Sequence, residues 1–478
     1  MHLRHLAGAV EGIRARLAGP DRDPALTAVV HDTGAVREGA LFCCVRGSRV
    51  DGHDLAPAAR AAGAVALLVD HVLDVDLPQL VVDDVRAAMG PVAAAFWGHP
   101  SRSLTVVGVT GTSGKTTMTH LLASVFTAAG QPCAVVGTLS GARTTPEGPE
   151  LQAVLARHRD DGLAAVAMEV SSHGLALHRV DATRFAAAVF TNLSQDHLDF
   201  HPSMEDYFAA KSRLFVPAFT DDAIVCVDDP WGRRLLDALE SRGELARHPY
   251  GLADAADVEL GPAGASFRWR GERVDLALTG RFNVANAIGA ATTAAVLGLE
   301  PGVIAAGLSA APPVPGRFET VSAGQPYTVV VDYSHKPDAL DQALRAAREL
   351  VGHDGRLTVV FGCGGDRDTA KRPVMGEVAV RLADQVVLTS DNPRSEDPLA
   401  IIDDVHAGMP ASSPVEIDPD RRRAIESAVN QAGPGDVVLI AGKGHETYQV
   451  IGDRTIPFDD RAVARAAIAR ALATGGPR

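Results

Sequence analysis

Short apolar runs alternate with stretches typical of helices along most of the chain. Apolar runs without polar alternation are typical of strands that are buried on both faces of a parallel sheet. Such runs predict strands at residues 40–45, 65–69, 104–109, 134–136, 165–168, 187–190, 328–331, 357–361, 385–388 and 436–440. Helices are predicted at residues 56–62, 116–129 and 283–298. Strands that alternate with helices indicate an α/β fold.

Proline-containing segments divide this pattern into three parts. Pro100 and Ser101 interrupt the chain after the first group of strands, and residues 311–316 (APPVPG) form the clearest linker. We therefore expect three α/β domains, at residues 1–100, 101–313 and 314–478. A chain of 478 residues fits this division, since domains average about 150 residues.

Composition excludes several classes of protein. Apolar residues make up 46% of the chain and charged residues 22%, which predicts folded cores. The net charge of −14, from 45 basic and 59 acidic residues, argues against nucleic acid as the main ligand. The five cysteines include no CxxC pair, so we expect reduced thiols and no cysteine metal site. With no secretory signal and no apolar run of about 18 residues, we expect a cytoplasmic protein that does not bind membranes.

The strongest local signal is the sequence GTSGKTT at residues 111–117, which follows a predicted strand and opens a predicted helix. Its glycines allow backbone N–H groups to surround phosphate, and the helix N-terminus favours an anion. Lys115 is placed to reach terminal phosphates, and the Thr116 hydroxyl to bind Mg²⁺. The spacing departs from the full phosphate-loop pattern, because Gly108 comes one residue too early. The predicted ATP contacts in this loop are Gly111, Thr112, Gly114, Lys115, Thr116 and Thr117.

Polar residues follow two further strands of the same region. Glu169 comes directly after an apolar run, where a carboxylate faces the ligand crevice of a parallel sheet and is suited to Mg²⁺. Residues 191–199 (TNLSQDHLD) resemble a site loop, although a single histidine such as His197 is often an ordinary surface residue. Lys211 lies on a predicted helix, and composition alone predicts a solvated lysine.

Three more loops follow strands of the last region, at residues 362–368 (GCGGDRD), 390–394 (SDNPR) and 441–446 (AGKGHE). Because they follow strands of one sheet, we expect them to converge on one crevice at its carboxyl edge. Arg394 offers a planar fork that binds a carboxylate through two hydrogen bonds, and Pro393 restricts the loop that presents it. A structural loop arginine is the alternative interpretation of Arg394.

Together these motifs resemble the Mur ligases, the ATP-dependent amino-acid-adding enzymes of peptidoglycan synthesis, and in particular the MurE-type members. The resemblance runs from about residue 36 to residue 450. Beyond the loops above, it rests on TTPEGPELQ at 144–152, MEVSSHGL at 168–175, GRFNVANAIGA at 280–290, PVPGRFE at 313–319, VVDYSHKPDAL at 330–340 and GKGHETYQ at 442–449.

The resemblance implies a three-domain architecture with a central P-loop parallel sheet and a Rossmann-like C-terminal domain. It implies an ADP-forming acid–amino-acid ligase that uses ATP and Mg²⁺. The implied substrates are UDP-N-acetylmuramoyl-L-Ala-D-Glu and a free diamino acid, and the reaction passes through an acyl phosphate. We expect 2,6-diaminopimelate rather than lysine, because the DNPR sequence accompanies diaminopimelate in this family. We also expect a monomer.

The resemblance also implies residue roles. Lys211 matches a lysine that CO₂ converts to a carbamate, and it would bind a second Mg²⁺ with Glu169 and His197. The implied nucleotide contacts outside the glycine-rich loop are Asn283, Asn286, Arg317, Asp332 and His335. The implied contacts of the UDP-linked substrate are Thr33, His53, Thr144, Thr145, Ser171 and Arg179. The implied amino-acid contacts are Arg367, Asp391, Asn392, Arg394, Gly442 and Glu446.

Some positions depart from the family pattern. The segment before Thr144 is short, Thr33 and Gly34 replace a Ser–Arg pair, and Ser334 and Lys336 replace Ala and Thr. These differences leave open a paralogous amide ligase with another acceptor, such as lysine or a secondary-metabolite substrate. A folylpolyglutamate-synthetase-like enzyme is a further alternative of the same fold. A binding protein that hydrolyses ATP to change conformation belongs to a different class.

Overall fold

In the computed structural model, which describes residues 1–47 and 50–473, the chain divides into two units. The first unit comprises Met1–Leu193, His197–Tyr250 and Thr292–Glu300. The second comprises Ser194–Asp196, Gly251–Ala291 and the chain from Pro301 onward.

The first unit begins with a five-stranded sheet. Its strands lie in the order β1-β5-β4-β3-β2, with β1 antiparallel to β5 and the other pairs parallel. The side chain of Asp84 caps the helix that follows β5, by accepting hydrogen bonds from the backbone of Arg86 and Ala87. The elements are α1 (Leu3–Ala9), β1 (Ala15–Ala18), β2 (Ala28–Val30), β3 (Ala40–Cys43), α2 (Ala56–Ala61), β4 (Ala64–Val69), β5 (Gln79–Val82) and α3 (Val85–Phe96).

The same unit contains a six-stranded parallel sheet in the order β11-β10-β9-β6-β8-β7. The strands are β6 (Thr105–Thr110), β7 (Cys133–Val136), β8 (Ala165–Glu169), β9 (Ala187–Phe190), β10 (Asp222–Cys226) and β11 (Ala246–Tyr250). The helices are α4 (Lys115–Ala128), α5 (Gly148–Asp160), α6 (Ser172–Ala176), α7 (Met204–Ser212) and α8 (Pro230–Arg242). Because β6 pairs with both β8 and β9, the loops after these three strands meet at one edge.

The second unit contains a six-stranded sheet in the order β15-β16-β20-β17-β18-β19, parallel except at β15. Its strands are β15 (Glu319–Thr320), β16 (Thr328–Asp332), β17 (Leu357–Phe361), β18 (Gln385–Leu388), β19 (Val415–Ile417) and β20 (Val437–Ala441). A three-stranded antiparallel sheet, β12 (Ala256–Gly261), β13 (Gly264–Trp269) and β14 (Glu272–Leu276), and a hairpin, β21 (Tyr448–Ile451) and β22 (Arg454–Pro457), complete the strands. Helix α9 (Arg281–Val296) begins in the second unit and ends in the segment Thr292–Glu300 of the first. The other helices are α10 (Pro301–Ser309), α11 (Pro337–Arg348), α12 (Lys371–Leu382), α13 (Pro398–His406), α14 (Arg421–Gln431) and α15 (Asp460–Ala473).

Successive residues of the six-stranded sheet of the second unit enter different cores. Val330 and Val359 belong to one buried cluster, whereas Val329 and Val360 belong to another. Both faces of the sheet are therefore covered, which explains the uninterrupted apolar runs in the sequence.

The predicted α/β class is confirmed, and each predicted strand and helix is present within a few residues. The antiparallel sheet β12–β14 was not predicted, and neither were β1, β2, β5, β10, β11, β15, β19, β21 and β22. The sheets of the three predicted domains are separate, but the boundaries at residues 100 and 313 stay predictions. Within the described part of the chain, no helix combines the length and apolarity needed to cross a bilayer.

Candidate functional site

The loop between β6 and α4 forms the glycine-rich turn that the sequence predicts. Gly111 has a φ of +151°, and a Cβ there would lie 1.8 Å from the Thr191 hydroxyl oxygen. Gly114 has a φ of +86° and directly precedes Lys115, the first residue of α4. The Lys115 ammonium extends back over the turn and donates to the carbonyl oxygens of Gly111 (2.8 Å) and Thr112 (2.9 Å). The turn thus joins a helix N-terminus and a cation, the combination that binds phosphate.

The polar loop after β9 supports this turn. The Asn192 side-chain oxygen accepts from the Ser113 N–H at 2.9 Å, and the Asn192 carbonyl accepts from the Thr112 N–H at 2.9 Å. The Thr191 hydroxyl donates to the Ser113 carbonyl at 2.7 Å. These residues therefore hold the backbone of the turn.

Glu169 ends β8 with a side chain that is almost fully buried. Its Oε1 accepts from the Thr116 hydroxyl at 3.0 Å and from the Thr138 N–H at 2.8 Å, and its Oε2 accepts from the Thr138 hydroxyl at 3.2 Å. The Thr116 hydroxyl and the Glu169 carboxylate are oxygen donors of the kind that Mg²⁺ prefers. The donor set fits the predicted magnesium role, which itself stays a prediction.

Lys211 is buried, with an exposed fraction of 1%, so the expectation of a solvated lysine is wrong. The last turn of α7 carries its side chain to the glycine-rich turn, where the ammonium donates to the Gly111 carbonyl at 2.8 Å. The Lys211 nitrogen also lies 4.6 Å from the centre of the Tyr207 ring. The Tyr207 hydroxyl lies 3.2 Å from the Thr112 hydroxyl. Composition could not reveal this burial, because the acceptor lies 100 residues away in the chain.

His197 is half-buried and has a φ of +53°. Its ring makes an edge contact with the His173 ring at 4.7 Å between centroids and lies 6.1 Å from the Tyr207 ring. The structure therefore brings the histidine of the predicted site loop to the MEVSSH segment and to the helix that carries Lys211.

The predicted contacts of the UDP-linked substrate in this region form one network next to Glu169. The fully buried Thr145 donates to the Glu169 carbonyl at 3.0 Å and accepts from the Ser171 N–H at 2.9 Å. Arg179 donates to the Thr145 carbonyl at 3.2 Å and pairs with Glu147 at 2.9 Å. The Thr144 hydroxyl lies 3.1 Å from the Thr138 hydroxyl. Thr145 thus holds the network together.

The other two predicted contacts of this substrate lie in turns after neighbouring parallel strands. Thr33 begins a turn after β2, and the Asp32 side chain caps that turn by accepting from the Gly34 N–H at 2.9 Å. His53 lies in a turn between β3 and α2. Because β2 and β3 pair in parallel, both turns lie at the carboxyl edge of this sheet.

His53 is buried among charged groups. Its Nδ1 lies 2.6 Å from Asp51 and its Nε2 3.2 Å from Asp70, and its ring stacks on the His71 ring. His53, Asp70 and His71 lie close enough together to suggest a metal site. Arg46 already pairs with Asp51 at 3.4 Å and with Asp70 at 3.3 Å, so these carboxylates have a cation without a metal.

In the second unit, the predicted nucleotide contacts near β16 adjoin one another. Asp332 accepts from the N–H groups of Phe318 (2.7 Å) and Ser334 (2.9 Å). The Arg317 guanidinium lies 4.7 Å from the centre of the Tyr333 ring. These contacts fix the segment around Arg317 against the end of β16.

His335, which follows β16, has a strongly lowered pKa. Its Nδ1 lies 2.7 Å from the Tyr333 carbonyl. Burial is the main cause that lowers the pKa of His335 to about 3, and the neighbouring cations Lys336 and Lys371 contribute to this shift. The imidazole is therefore neutral at physiological pH.

The predicted asparagine contacts lie one turn apart on α9 and are buried. The Asn283 amide donates to the Thr279 carbonyl at 2.9 Å. The Asn286 amide lies 3.4 Å from the Asn283 side-chain oxygen. Both therefore lie on one face of the helix.

The three loops after β17, β18 and β20 converge, as predicted. Arg394 donates to the Gly365 carbonyl at 2.6 Å, and a Cβ at Gly362 would lie 2.1 Å from the Thr389 carbonyl oxygen. The Arg394 N–H also donates to the Val450 carbonyl at 3.1 Å, next to the hairpin. Arg367 lies in the same loop as Gly365 and is exposed.

The remaining predicted amino-acid contacts meet at a buried cluster. Asn392 donates to the Glu446 carboxylate at 2.9 Å. Gly442 has a φ of +115°, and a Cβ there would lie 2.6 Å from an Asp391 carboxylate oxygen. Burial raises the pKa of Asp391, whereas Arg421 and Lys443 oppose this shift. Glycine is thus required at position 442 so that the two loops can approach.

Sequence reasoning gave no role to three buried charged residues here. Lys443 donates to both Asn392 (3.1 Å) and Glu446 (3.0 Å). Arg421 and Asp460 form a fully buried ion pair at 2.7 Å. Lys443 lies within the quoted motif AGKGHE, between two glycines after an apolar strand, which is a usable signal. Arg421 and Asp460 are separated by 39 residues and carry no comparable signal.

The site combines the glycine-rich turn after β6 with a carboxylate at the end of the neighbouring strand β8. Together with the parallel sheets in separate domains, these features define a P-loop α/β enzyme. Three family signatures match the chain: "Mur ligase family, catalytic domain" at residues 26–97, "Mur ligase middle domain" at 109–294 and "Mur ligase, glutamate ligase domain" at 316–444. The chain belongs to the Mur ligase family and is therefore an ATP-dependent amide ligase.

Named relatives cover nearly the whole chain. UDP-N-acetylmuramoyl-L-alanyl-D-glutamate--2,6-diaminopimelate ligase of Streptomyces coelicolor is 46% identical over 95% of this chain and 94% of that protein. The ligase of the same name from Geobacillus thermodenitrificans is 43% identical over 98% of this chain and 99% of that protein. A solved structure with this name has 34% identity and a TM-score of 0.68, and covers 94% of this chain and 95% of that one. MurF ligase from Thermotoga maritima in complex with ADP, at 20% identity and a TM-score of 0.64 over 94% of this chain and 97% of that one, shares the fold.

Proposed function

We propose that this protein uses ATP to join 2,6-diaminopimelate to UDP-N-acetylmuramoyl-L-Ala-D-Glu, with release of ADP and phosphate. The ligases of Streptomyces coelicolor and Geobacillus thermodenitrificans carry this reaction in their names, at 43–46% identity over nearly their whole length. The observation that carries the proposal is that converging loops of one sheet present both a guanidinium, Arg394, held at the Gly365 carbonyl, and a carboxylate, Glu446, held by Asn392. Diaminopimelate has a distal carboxylate and a distal ammonium, and these two groups match such a pair.

The proposed chemistry begins with activation of the substrate carboxylate, which is a poor acyl donor. ATP transfers its terminal phosphoryl group to this carboxylate to give an acyl phosphate and ADP. The neutral amine of the amino acid then attacks the acyl carbon, a C–N bond forms, and phosphate leaves with the C–O bond electrons, while one amine proton passes to phosphate or solvent. Lys115, at the start of α4, would stabilise the negative charge of the transferring phosphoryl group.

Mg²⁺ is the metal that the donor set of this site favours. The Thr116 hydroxyl and the Glu169 carboxylate would hold it, because hard oxygen donors suit this ion. When bound, Mg²⁺ neutralises phosphate charge. Thr138 donates two hydrogen bonds to Glu169 and would keep that carboxylate oriented.

We further propose that Lys211 carries a carbamate. The neutral amine attacks CO₂, an N–C bond forms, and one amine proton leaves to solvent, so a cation becomes an anionic oxygen donor. With Glu169 and His197, this group would serve a second magnesium ion. The location of the Lys211 amine at the Gly111 carbonyl, in the same turn as Lys115, supports a role beside the phosphates.

The remaining roles are proposed by analogy with the family. Asn283, Asn286, Arg317, Asp332 and His335 would contact the nucleotide. Thr33, His53, Thr144, Thr145, Ser171 and Arg179 would contact the UDP-linked dipeptide. Arg367, Asp391, Asn392 and Gly442 would complete the amino-acid site with Arg394 and Glu446. We expect a monomer that works in the cytoplasm and binds neither nucleic acid nor membranes.

An amino-acid panel tests this function. The protein, ATP, Mg²⁺ and UDP-N-acetylmuramoyl-L-Ala-D-Glu are incubated with single amino acids, and phosphate release is measured. We expect release to require the amino acid and to be fastest with diaminopimelate. Phosphate release without any amino acid would favour a nucleotide-driven conformational switch. Phosphate release with glutamate, in a reaction in which a folate replaces the UDP-linked dipeptide, would favour the folylpolyglutamate-synthetase alternative.

A further inference from the structure

Lys443 is a fully buried lysine between the two loops that carry the proposed amino-acid contacts. Its ammonium donates to the Asn392 side-chain oxygen at 3.1 Å and to Glu446 Oε2 at 3.0 Å. The amide of Asn392 donates to the same Glu446 oxygen at 2.9 Å. Lys443, Asn392 and Glu446 therefore form a closed triangle, in which each member contacts the other two.

Residues outside the triangle also hold it in place. The Val450 N–H donates to the Asn392 side-chain oxygen at 3.0 Å. The buried Arg421 donates to the Ala441 carbonyl at 2.9 Å, and Ala441 begins the loop that holds Lys443. The Lys443 side chain is fully buried, and a buried ammonium requires charged or polar partners.

Glu446 keeps one carboxylate oxygen for a further donor. Lys443 lies 3.0 Å from Glu446 and 3.9 Å from Asp391, whereas Arg421 pairs with Asp460. Both hydrogen bonds that Glu446 accepts end on Oε2, and among residues 1–47 and 50–473 none donates to Oε1. Glu446 is also the partly exposed member of the group. An added ammonium at Oε1 would give this carboxylate oxygen a hydrogen-bond donor.

We propose that Lys443 is a positioning residue that fixes Glu446 and Asn392 so that Glu446 Oε1 receives the distal ammonium of the amino-acid substrate. The inference rests on the proposed function and adds to it the residue that sets the geometry of recognition. Lys443 acts through Glu446 and does not itself contact the substrate. Preorganised contacts of this kind strengthen binding because fewer groups must be ordered when the ligand arrives.

A double-mutant cycle tests the proposal. The variants are Lys443→Met, Glu446→Gln and the double variant, each assayed for KM of diaminopimelate, KM of ATP and kcat. We expect each single variant to raise KM of diaminopimelate about tenfold or more while KM of ATP changes little. Because Lys443 works through Glu446, the two effects are not expected to multiply. The KM of diaminopimelate in the double variant should equal that of the single variant with the higher KM.

Leu344→Ala is the matched control. Leu344 is a buried residue of α11 that packs in the core of the same six-stranded sheet. The variant lowers thermal stability but is expected to keep the wild-type KM of diaminopimelate. If Lys443→Met does not fold, Lys443→Gln takes its place, since it removes the charge but keeps a donor.

An unchanged KM in the Lys443 variant, or effects that multiply in the double variant, would overturn the proposal. An equal rise in KM of ATP would also overturn it, because it would indicate a general structural role. A wild-type enzyme that does not add diaminopimelate would instead overturn the proposed function.

Discussion

At the scale of single residues, the Gly111 carbonyl receives hydrogen bonds from two lysines. Lys115 and Lys211 each lie 2.8 Å from this oxygen, so their nitrogens are at most twice that distance apart. Two like charges at such a separation repel by about 3 kcal/mol at an effective dielectric constant of about 20. A carbamate on Lys211 would replace this repulsion with attraction.

Lys211→Arg distinguishes a role of Lys211 as a cation from a role as a carbamate. Arginine keeps the positive charge but forms no carbamate with CO₂. We expect the variant to lose activity by about 100-fold or more, as for removal of a major electrostatic group. Phosphate release measures this loss, and ¹³CO₂ added to the wild type should give a carbamate signal that the variant lacks. Bicarbonate is expected to restore part of the activity of Lys211→Ala by supplying an anion. Wild-type turnover in Lys211→Arg would exclude the carbamate.

Arg394→Ala tests the choice of amino acid. Loss of one charged hydrogen bond costs about 1.5–3 kcal/mol, so KM of diaminopimelate should rise about tenfold to 100-fold. The KM of lysine, which lacks the distal carboxylate, should change much less. Arg345→Ala, which removes an exposed ion pair with Asp341, serves as the control. Equal changes for both amino acids would indicate that Arg394 is a structural loop residue.

At the scale of elements, helices α14 and α15 are joined by the buried pair Arg421–Asp460. Arg421 also donates to the carbonyls of Ser390 and Ala441, which begin two of the converging loops. Arg421→Met leaves a buried carboxylate without its partner and is expected to cost about 3–5 kcal/mol in the free energy of unfolding.

Arg423 provides the matched control for that prediction. It lies on the same helix and pairs with Asp418 at 2.9 Å, but its side chain is mostly exposed. Arg423→Met is expected to cost less than about 1 kcal/mol in urea unfolding. Similar costs for the two variants would contradict the importance of the buried pair.

The strands were predictable where burial on both faces leaves an uninterrupted apolar run, as in β17 and β20. The antiparallel strands β13 and β14 were missed because only alternate residues are buried, such as Val274 and Leu276 of β14. The glycine-rich turn was predictable because its residues are contiguous in the sequence. The contact between Lys443 and Asn392 was not, because 51 residues separate them and only the sheet order brings them together.

At the scale of the whole molecule, the neutral, desolvated His335 makes the free energy of unfolding depend on pH. The pKa of His335 falls from an ordinary 6.5 to about 3 on folding, so the unfolded chain binds the extra proton between these values. The stabilising contribution is therefore fully present above pH 6.5 and is lost as pH falls from 6.5 toward 3.

Unfolding in urea at pH 7.5 and pH 5.5 measures this effect. The wild type should lose about 1.4 kcal/mol more between the two pH values than His335→Gln, which cannot titrate. His353→Gln, which changes a histidine that is almost fully exposed, should lose as much as the wild type. A His335→Gln variant with the wild-type pH dependence would contradict the assignment.

The mass of the product tests most directly whether this Mur ligase adds diaminopimelate to the UDP-linked dipeptide. The wild-type protein is incubated with ATP, Mg²⁺, UDP-N-acetylmuramoyl-L-Ala-D-Glu and equimolar diaminopimelate and lysine. The two products differ by one carboxylate group and are resolved in a single spectrum. We expect the diaminopimelate tripeptide as the dominant product. A dominant lysine product, or neither product, would exclude diaminopimelate as the preferred amino acid of this enzyme.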